Sequence, residues 1–510
     1  MIGGPGMASF FSRESQIAGP GFSRWLVPPA ALAIHLCIGQ AYAFSVFNLP
    51  MTKLIGITKS APDDWTIPEL GWIFSIAIVF LGVSAAVFGR WVESGGPRRA
   101  MFVAAACFAS GFVVAAGGVE LHSIWIVYLG YGVLGGVGLG IGYISPVSTL
   151  IKWFPDRPGM ATGMAIMGFG GGALIGSPLA VELMKYFATP TSIGVAPTFV
   201  TMAVIYFAIM MFGVFTVRLP APDWAPAGYV RRATAAKLIA LGTVTVDEAF
   251  GTRQFWLLWL VLCMNVTAGI GVLGQASAMS QEVFAGRITP VAAAGFVGLL
   301  SLFNMVGRFA WSSTSDYIGR RNTYTVFFVL GIVLYASVPT IGHMGSVGLF
   351  VLAYGIILSM YGGGFATIPA YLKDLFGTMH VGAIHGRLLT AWSTAGIVGP
   401  VVVNYIREAQ LAAGVPRDHL YDFTMYILCA MLVGGLICNF LVKPVDPKWY
   451  MSAEEVAALQ AARAADTAPT GSFGIGKGGL DWKAAVFWLF VGVPLAWGVW
   501  KTLQSAAALF

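Results

Sequence analysis

The sequence predicts an all-helical membrane protein: two six-helix bundles in parallel repeat, followed by a thirteenth helix at the C-terminus. Three observations lead there: a scarcity of charge, thirteen long apolar runs, and a repeat of punctuating residues at one fixed offset. Of 510 residues, 57% are hydrophobic and 10% charged, where a soluble domain carries about 25% charged residues. So few charges cannot clothe a soluble fold of this length. A soluble enzyme, a nucleic-acid binder and a disordered scaffold are thereby excluded. The apolar runs are continuous rather than alternating, which argues against a β-barrel. The 65 glycines suit close helix packing in lipid, and the 16 tryptophans suit the membrane interface.

The elements follow in order. Residues 1–24 carry no cleavable signal pattern, because the first apolar run continues as a full span. Apolar runs then lie at about 25–47, 68–89, 101–119, 124–151, 160–181 and 196–217, forming a first bundle, 25–217. A polar linker, 218–253, separates it from a second bundle, 254–442, with runs at about 255–277, 291–314, 323–341, 347–371, 383–405 and 424–442. A polar tail, 443–483, precedes the last run, in 484–510. All five cysteines fall inside apolar runs without metal-ligand spacing and read as small core residues.

Cations set the orientation. With the N-terminus inside, 20 of the 29 Lys and Arg residues fall on inner segments and 7 on outer ones. The excess of inner cations places the N-terminus in the cytoplasm, the C-terminus outside, and the chain in the plasma (inner) membrane. The two remaining cations, Arg308 and Arg387, lie within apolar runs.

The bundles repeat. Glu93, Gly96, Arg98, Pro146, Gly159, Gly163 and Gly176 have counterparts in Asp316, Gly319, Arg321, Pro369, Gly382, Gly386 and Gly399, and every pair is separated by the same interval, one repeat length. The loop after the second run places an acid, a glycine and basic residues at a helix end (Glu93, Gly96, Arg98), and the loop after the eighth does the same (Asp316, Gly319, Arg321). Glycine permits the tight turn, and the acid is expected to pair with the arginine at an inner gate. Glycines crowd the fourth and fifth runs, where the expectation is close packing together with a sliding gate seam. No strand precedes these glycines and no Lys-Ser/Thr follows, so they are not a phosphate-binding loop.

Arg308 carries most of the functional information. It precedes Asp316 by eight residues, about 12 Å along a helix, which sets it near the bilayer midplane. A charge there costs at least about 2.5 kcal/mol unless it faces a cavity or an anion. No Asp or Glu lies in the middle of any run, so the expected counter-ion is a substrate carboxylate held bidentately. Arg387 lies nearer the inner face and divides between gate and site. Tyr42, Tyr143, Asn304, Trp392 and Gln40 are further candidates for a cage of rings and amides around a small anion. His35, within the first run, is either a packing histidine or a titratable one. No nucleophile–base pair, HExxH or CxxC motif is present, so catalysis is not expected, nor are a cofactor or a metal.

The paired loops resemble the signature of the major facilitator superfamily, whose architecture is a parallel repeat of six helices with substrate held between the halves. Within it the chain resembles the oxalate/formate antiporter family. The matching stretches are Gly39–Phe47, Gly142–Thr149, Lys152–Gly163, Phe255–Trp259 with Asn265–Gly269, Gly362–Pro369 and Gly382–Trp392. The resemblance implies rocking-bundle exchange of small carboxylates. In the oxalate exchangers an Arg in the eighth helix and a Lys in the eleventh clamp the two carboxylates; here those positions are Arg308 and Trp392. A single cation suits a monocarboxylate such as formate, pyruvate or lactate better than oxalate. Related proton-linked monocarboxylate transporters carry an Asp where this chain has Asn304. The thirteenth run is similar to a small accessory membrane subunit, or else is a simple anchor.

The expectation is therefore a monomeric secondary transporter of small carboxylate anions, oxalate:formate antiporter-like, whose partners are its substrate and the lipid bilayer. The alternatives are a monocarboxylate uptake carrier, with or without proton coupling, and a non-transporting membrane sensor.

Overall fold

A computed structural model describes residues 10–221, 224–226, 242–465 and 482–509. Parts of the expected linker and tail, with Arg231, Arg232, Lys237 and Lys477, lie outside the described residues. The first bundle comprises α1 (Arg24–Phe47), α2 (Ile67–Gly95), α3 (Pro97–Glu120), α4 (Ile124–Trp153), α5 (Pro158–Phe187) and α6 (Val195–Thr216). The second comprises α7 (Arg253–Val283), α8 (Pro290–Ile318), α9 (Arg320–His343), α10 (Val347–Phe376), α11 (Val381–Ala412) and α12 (Asp422–Leu441). The last helix is α13 (Trp482–Ala506). Twelve of these are long and apolar enough to cross a membrane, among the described residues. To them α8 adds 29 helical residues packed along α5 and α10.

Local chemistry sets the boundaries. The first turn of α2 is closed by a capping box, in which the Thr66 backbone N–H donates to Glu69 at 2.8 Å. The turns between α2 and α3 and between α8 and α9 are made at Gly96 (φ 80°) and Gly319 (φ 86°), in a region that disfavours any side chain. Three spans are irregular. The second half of α1 is a 3-10 stretch, Gly39–Phe47. A wide π-type turn runs through Tyr128–Gly135 of α4, and α11 breaks at Leu389, just before Trp392.

The bundles meet along two seams, α2 against α11 and α5 against α8. A Cβ on Gly386 of α11 would lie 2.1 Å from the Ala85 carbonyl oxygen of α2, and one on Gly163 of α5 would lie 2.9 Å from the Arg308 carbonyl oxygen of α8. These are equivalent contacts: Gly163 and Gly386 stand one repeat length apart, and so do Ala85 and Arg308. Of the α5 glycines, Gly168, Gly172 and Gly176 pack within the first bundle, while Gly159, Gly163 and Gly170 form a seam with α8. Those of α4 are internal packing instead, with Gly138 against Phe108 of α3 and Gly140 against Leu81 of α2.

The thirteenth helix lies against both bundles. Phe487 and Phe490 pack on Phe212 of α6, and Gly498 meets the Leu174 carbonyl of α5. Thr502 and Ser505 meet Gly298 and Gly295 of α8. α13 thus crosses the α5–α8 seam.

Candidate functional site

Arg308 is fully buried on α8 between the two bundles. Its Nε donates to Asn304 Oδ1 at 2.9 Å, one helical turn earlier. Nη1 makes a long contact, 3.4 Å, to the Ile166 carbonyl of α5. Nη2 has no hydrogen-bond partner, and among the described residues no carboxylate lies within ion-pair distance of the guanidinium. The charge is held instead by aromatic faces, with Cζ 5.6 Å from the Phe169 centroid and 5.3 Å from that of Phe365.

Rings from both bundles close around it. Trp392 lies 4.4 Å from Phe365, 5.3 Å from Phe169, 5.4 Å from Tyr143 and 6.3 Å from Tyr42, centroid to centroid. Tyr42 and Tyr361 share a hydroxyl–hydroxyl hydrogen bond of 3.0 Å that links α1 to α10. Tyr42 and Tyr143 sit in the field of Arg308, yet the Tyr143 hydroxyl and the Trp392 indole N–H have no hydrogen-bond partner. Buried donors are rarely left so. An unpartnered guanidinium nitrogen, indole N–H and phenol within one cage are together able to receive an anion.

Histidines flank the cage. His35 Nε2 lies 3.2 Å from the Tyr143 carbonyl oxygen, and its Nδ1 has no partner. The His385 ring lies 5.9 Å from that of Tyr143, and neither of its nitrogens has a partner.

One face of the molecule, the one bearing the linker, is sealed between the bundles by two equivalent contacts. Asp316 at the end of α8 accepts from the backbone N–H groups of Gly159 and Met160 that open α5, both at 2.9 Å. Glu93 near the end of α2 accepts from the Gly382 N–H that opens α11, also at 2.9 Å. Each acid thus caps a helix of the opposite bundle, where the helix dipole favours negative charge. The expected pairing of acid with arginine holds in the second loop, through Arg320 rather than Arg321; Arg98 and Arg321 turn to backbone carbonyls instead. Arg98 donates to the Phe10 carbonyl at 2.8 Å and Arg321 to the Phe440 carbonyl at 2.8 Å. Asp316 pairs with Arg320, which also reaches Asp374 at 3.3 Å.

Two further candidates are displaced from the cage. Arg387 is bound to Asp247 (Nη2 to Oδ1, 2.7 Å) and to the Val246 carbonyl, on the short linker helix Val246–Gly251. Asp247 also pairs with Arg90 of α2, so it latches the two bundles together on the linker face. Arg387 and then Arg90 hold the Asp247 carboxyl below its usual value. Gln40 accepts from the Tyr131 hydroxyl at 2.9 Å and packs by Gly176, inside the first bundle. Phe169, Tyr361 and Phe365 belong to the cage but carried no sequence signal of their own. Phe169 had an indirect one, since it stands one repeat length before Trp392 and the two rings touch.

A parallel two-bundle repeat that closes over a polar centre is the build of a transporter rather than an enzyme. The sequence model of the Major Facilitator Superfamily matches residues 22–400, and the chain belongs to that family. Within it the chain is similar to several carriers. It is 27% identical to the oxalate:formate antiporter of Oxalobacter formigenes, over 74% of this chain and 83% of that one. It is 24% identical to apicoplast pyruvate carrier 1 of Toxoplasma gondii over 64% and 68% of the two chains, and 24% identical to human monocarboxylate transporter 11 over 83% of each. Among solved structures the proton:xylose symporter XylE shares the fold at TM-score 0.62 and 16% identity, covering 86% of this chain and 98% of that one. The human organic anion transporter MFSD10 does so at TM-score 0.61 and 14% identity, covering 82% and 99%. The sensor alternative is set aside by this membership.

Proposed function

We propose that the chain carries small carboxylate anions across the membrane by alternating access, with Arg308 as the anion ligand. The carrying observation is the unpartnered Nη2 of a buried cation that has no counter-ion among the described residues. A bound carboxylate accepts from Nη2, and the Trp392 and Tyr143 donors close over it. Asn304 orients the guanidinium through Nε. One cation in an apolar cage suits a monocarboxylate such as formate, pyruvate or lactate; exchange of one carboxylate for another is the favoured mode, in keeping with the likeness to the oxalate:formate antiporter. The Asp316, Glu93 and Asp247 contacts form the inner gate, on a cytoplasmic face of the plasma membrane, as the excess of basic residues there supports.

Counterflow in proteoliposomes tests this. Formate-loaded vesicles should accumulate labelled monocarboxylate, and Arg308→Gln should lower uptake by about 30-fold or more, since loss of a buried charge partner costs roughly 2 kcal/mol or more. Unchanged uptake in that variant removes Arg308 from the site.

A second reading, proton-linked uptake, is favoured by His35 Nδ1 and both ring nitrogens of His385, which stand unpartnered beside Tyr143. Alkalinisation of the medium during uptake that is lost in His385→Gln supports it; uptake without any pH change leaves exchange.

A further inference from the structure

We propose that His343, His419 and Asp422 form a binding site for a divalent transition-metal ion, zinc being the best match, on the face of the second bundle opposite the linker. The three residues come from separate places: the C-terminal end of α9, the turn Arg417–His419 and the first turn of α12. Asp422 Oδ2 lies 2.8 Å from His419 Nδ1 and 3.2 Å from His343 Nε2, and one ligand atom from each residue falls within 4.8 Å of the other two. A tetrahedral zinc ion with bonds of about 2.0–2.1 Å holds its ligand atoms roughly 3.3 Å apart. Two edges of the triangle, 2.8 and 3.2 Å, are already near that length.

The three groups converge on one point. Two imidazoles meet at one carboxylate oxygen, and their ring centroids are 4.1 Å apart. Protonating both would set two like charges against each other. A divalent cation fits this set, because neutral imidazole lone pairs and a carboxylate are the donors that zinc takes.

A second observation points the same way. His419 presents Nδ1 to the triangle, while its Nε2 lies 3.9 Å from Asp418 Oδ2. A carboxylate on that side of a ligating histidine is placed to receive its far N–H and so hold the ring. The side chains are 36%, 45% and 24% exposed for His343, His419 and Asp422. An ion therefore enters from solvent, and water fills the open coordination position. The site ties α9 to α12 within one bundle and does not bridge the seams, so it stabilises the bundle without blocking its rocking.

Calorimetric titration of zinc chloride into the tag-free, chelator-treated full chain in detergent is the test, with the visible absorption of bound cobalt(II) as a second readout. One site of micromolar affinity is expected. His419→Gln and Asp422→Asn should each weaken it at least tenfold and abolish the tetrahedral cobalt bands. Asp418→Asn, which leaves all three ligands in place, should weaken it about tenfold. Carboxylate uptake should persist in all three variants, which certifies their fold. The absence of saturable zinc binding, or equal binding in wild type and variants, overturns the proposal.

Discussion

At the scale of single residues, the cage is asymmetric where the backbone is symmetric. Arg308 and Ala85 occupy equivalent seam positions, as do Trp392 and Phe169 and also Asn265 and Tyr42. The repeat supplies the frame, and a few substitutions against it supply the chemistry. Trp392 is the position at which the resemblance to oxalate exchangers implies a second cation. Trp392→Lys should therefore raise oxalate uptake relative to formate, because a second ammonium within reach of Arg308 gives a dicarboxylate two counter-ions. It should also cost stability, since the indole is fully buried against four rings and its loss leaves unfilled volume, on the order of 3 kcal/mol. Competition of oxalate against labelled formate in counterflow reads the switch directly. A variant that folds and keeps the wild-type preference would show that position 392 does not set substrate charge.

At the scale of elements, helix termini carry the contacts that close the linker face. Asp316 receives two backbone N–H donors and an arginine, whereas Asp247 is more exposed and bridges two arginines across the seam. The carboxylate at 316 is thus the stronger clamp. Asp316→Asn should weaken the α5 cap by roughly 1–2 kcal/mol and shift the population toward opening on the linker face. Labelling of Ser148→Cys, a buried position beside Gly382, in a background without the five native cysteines reports that opening. Faster labelling is expected with Asp316→Asn than with Asp247→Asn. The pH dependence of the Asp247 latch has a definite sign. A carboxyl whose closed-state value is depressed keeps its contribution at neutral pH and loses it as pH falls below the ordinary value of about 3.9. Labelling at Ser148→Cys should therefore show no Asp247-dependent change between pH 8 and pH 5, where both forms of the latch are ionised.

At the scale of the whole molecule, the fold was legible because lipid removes alternatives. An apolar run of about 20 residues has only the helix available, and one constant interval between matching residues ties the runs into two bundles. Arg308 was legible because charge is scarce. What stayed hidden depends on which way a side chain turns. Gln40 sits in the 3-10 stretch Gly39–Phe47, where each residue advances by about 120° instead of 100°, so a face projected from α-helical spacing lands elsewhere. Arg387 found its counter-ion 140 residues away on the linker helix, a distance over which no local pattern speaks. Phe169 and Phe365 look like any ring in an apolar run until the Arg308 guanidinium is seen beside them.

The thirteenth helix poses the last question at this scale. Its first half leans on α6 and its middle on α5, while its end meets Gly295 and Gly298 near the start of α8. It therefore crosses, from one bundle to the other, a seam that must loosen if the bundles rock. Gly498 sets its backbone close to that of α5 and Gly295 does the same for α8, while Gly298 receives the Thr502 side chain, so the contact is made close by small residues, as helix pairs in lipid favour. None of its residues reaches the Arg308 cage. Truncation after Ala465 should lower the melting temperature of the purified protein, by an amount on the order of a few degrees, while leaving counterflow present and abolished, as in the full chain, by Arg308→Gln. Loss of counterflow at an unchanged melting temperature would instead make α13 part of the transport cycle, a guide on which the two bundles turn.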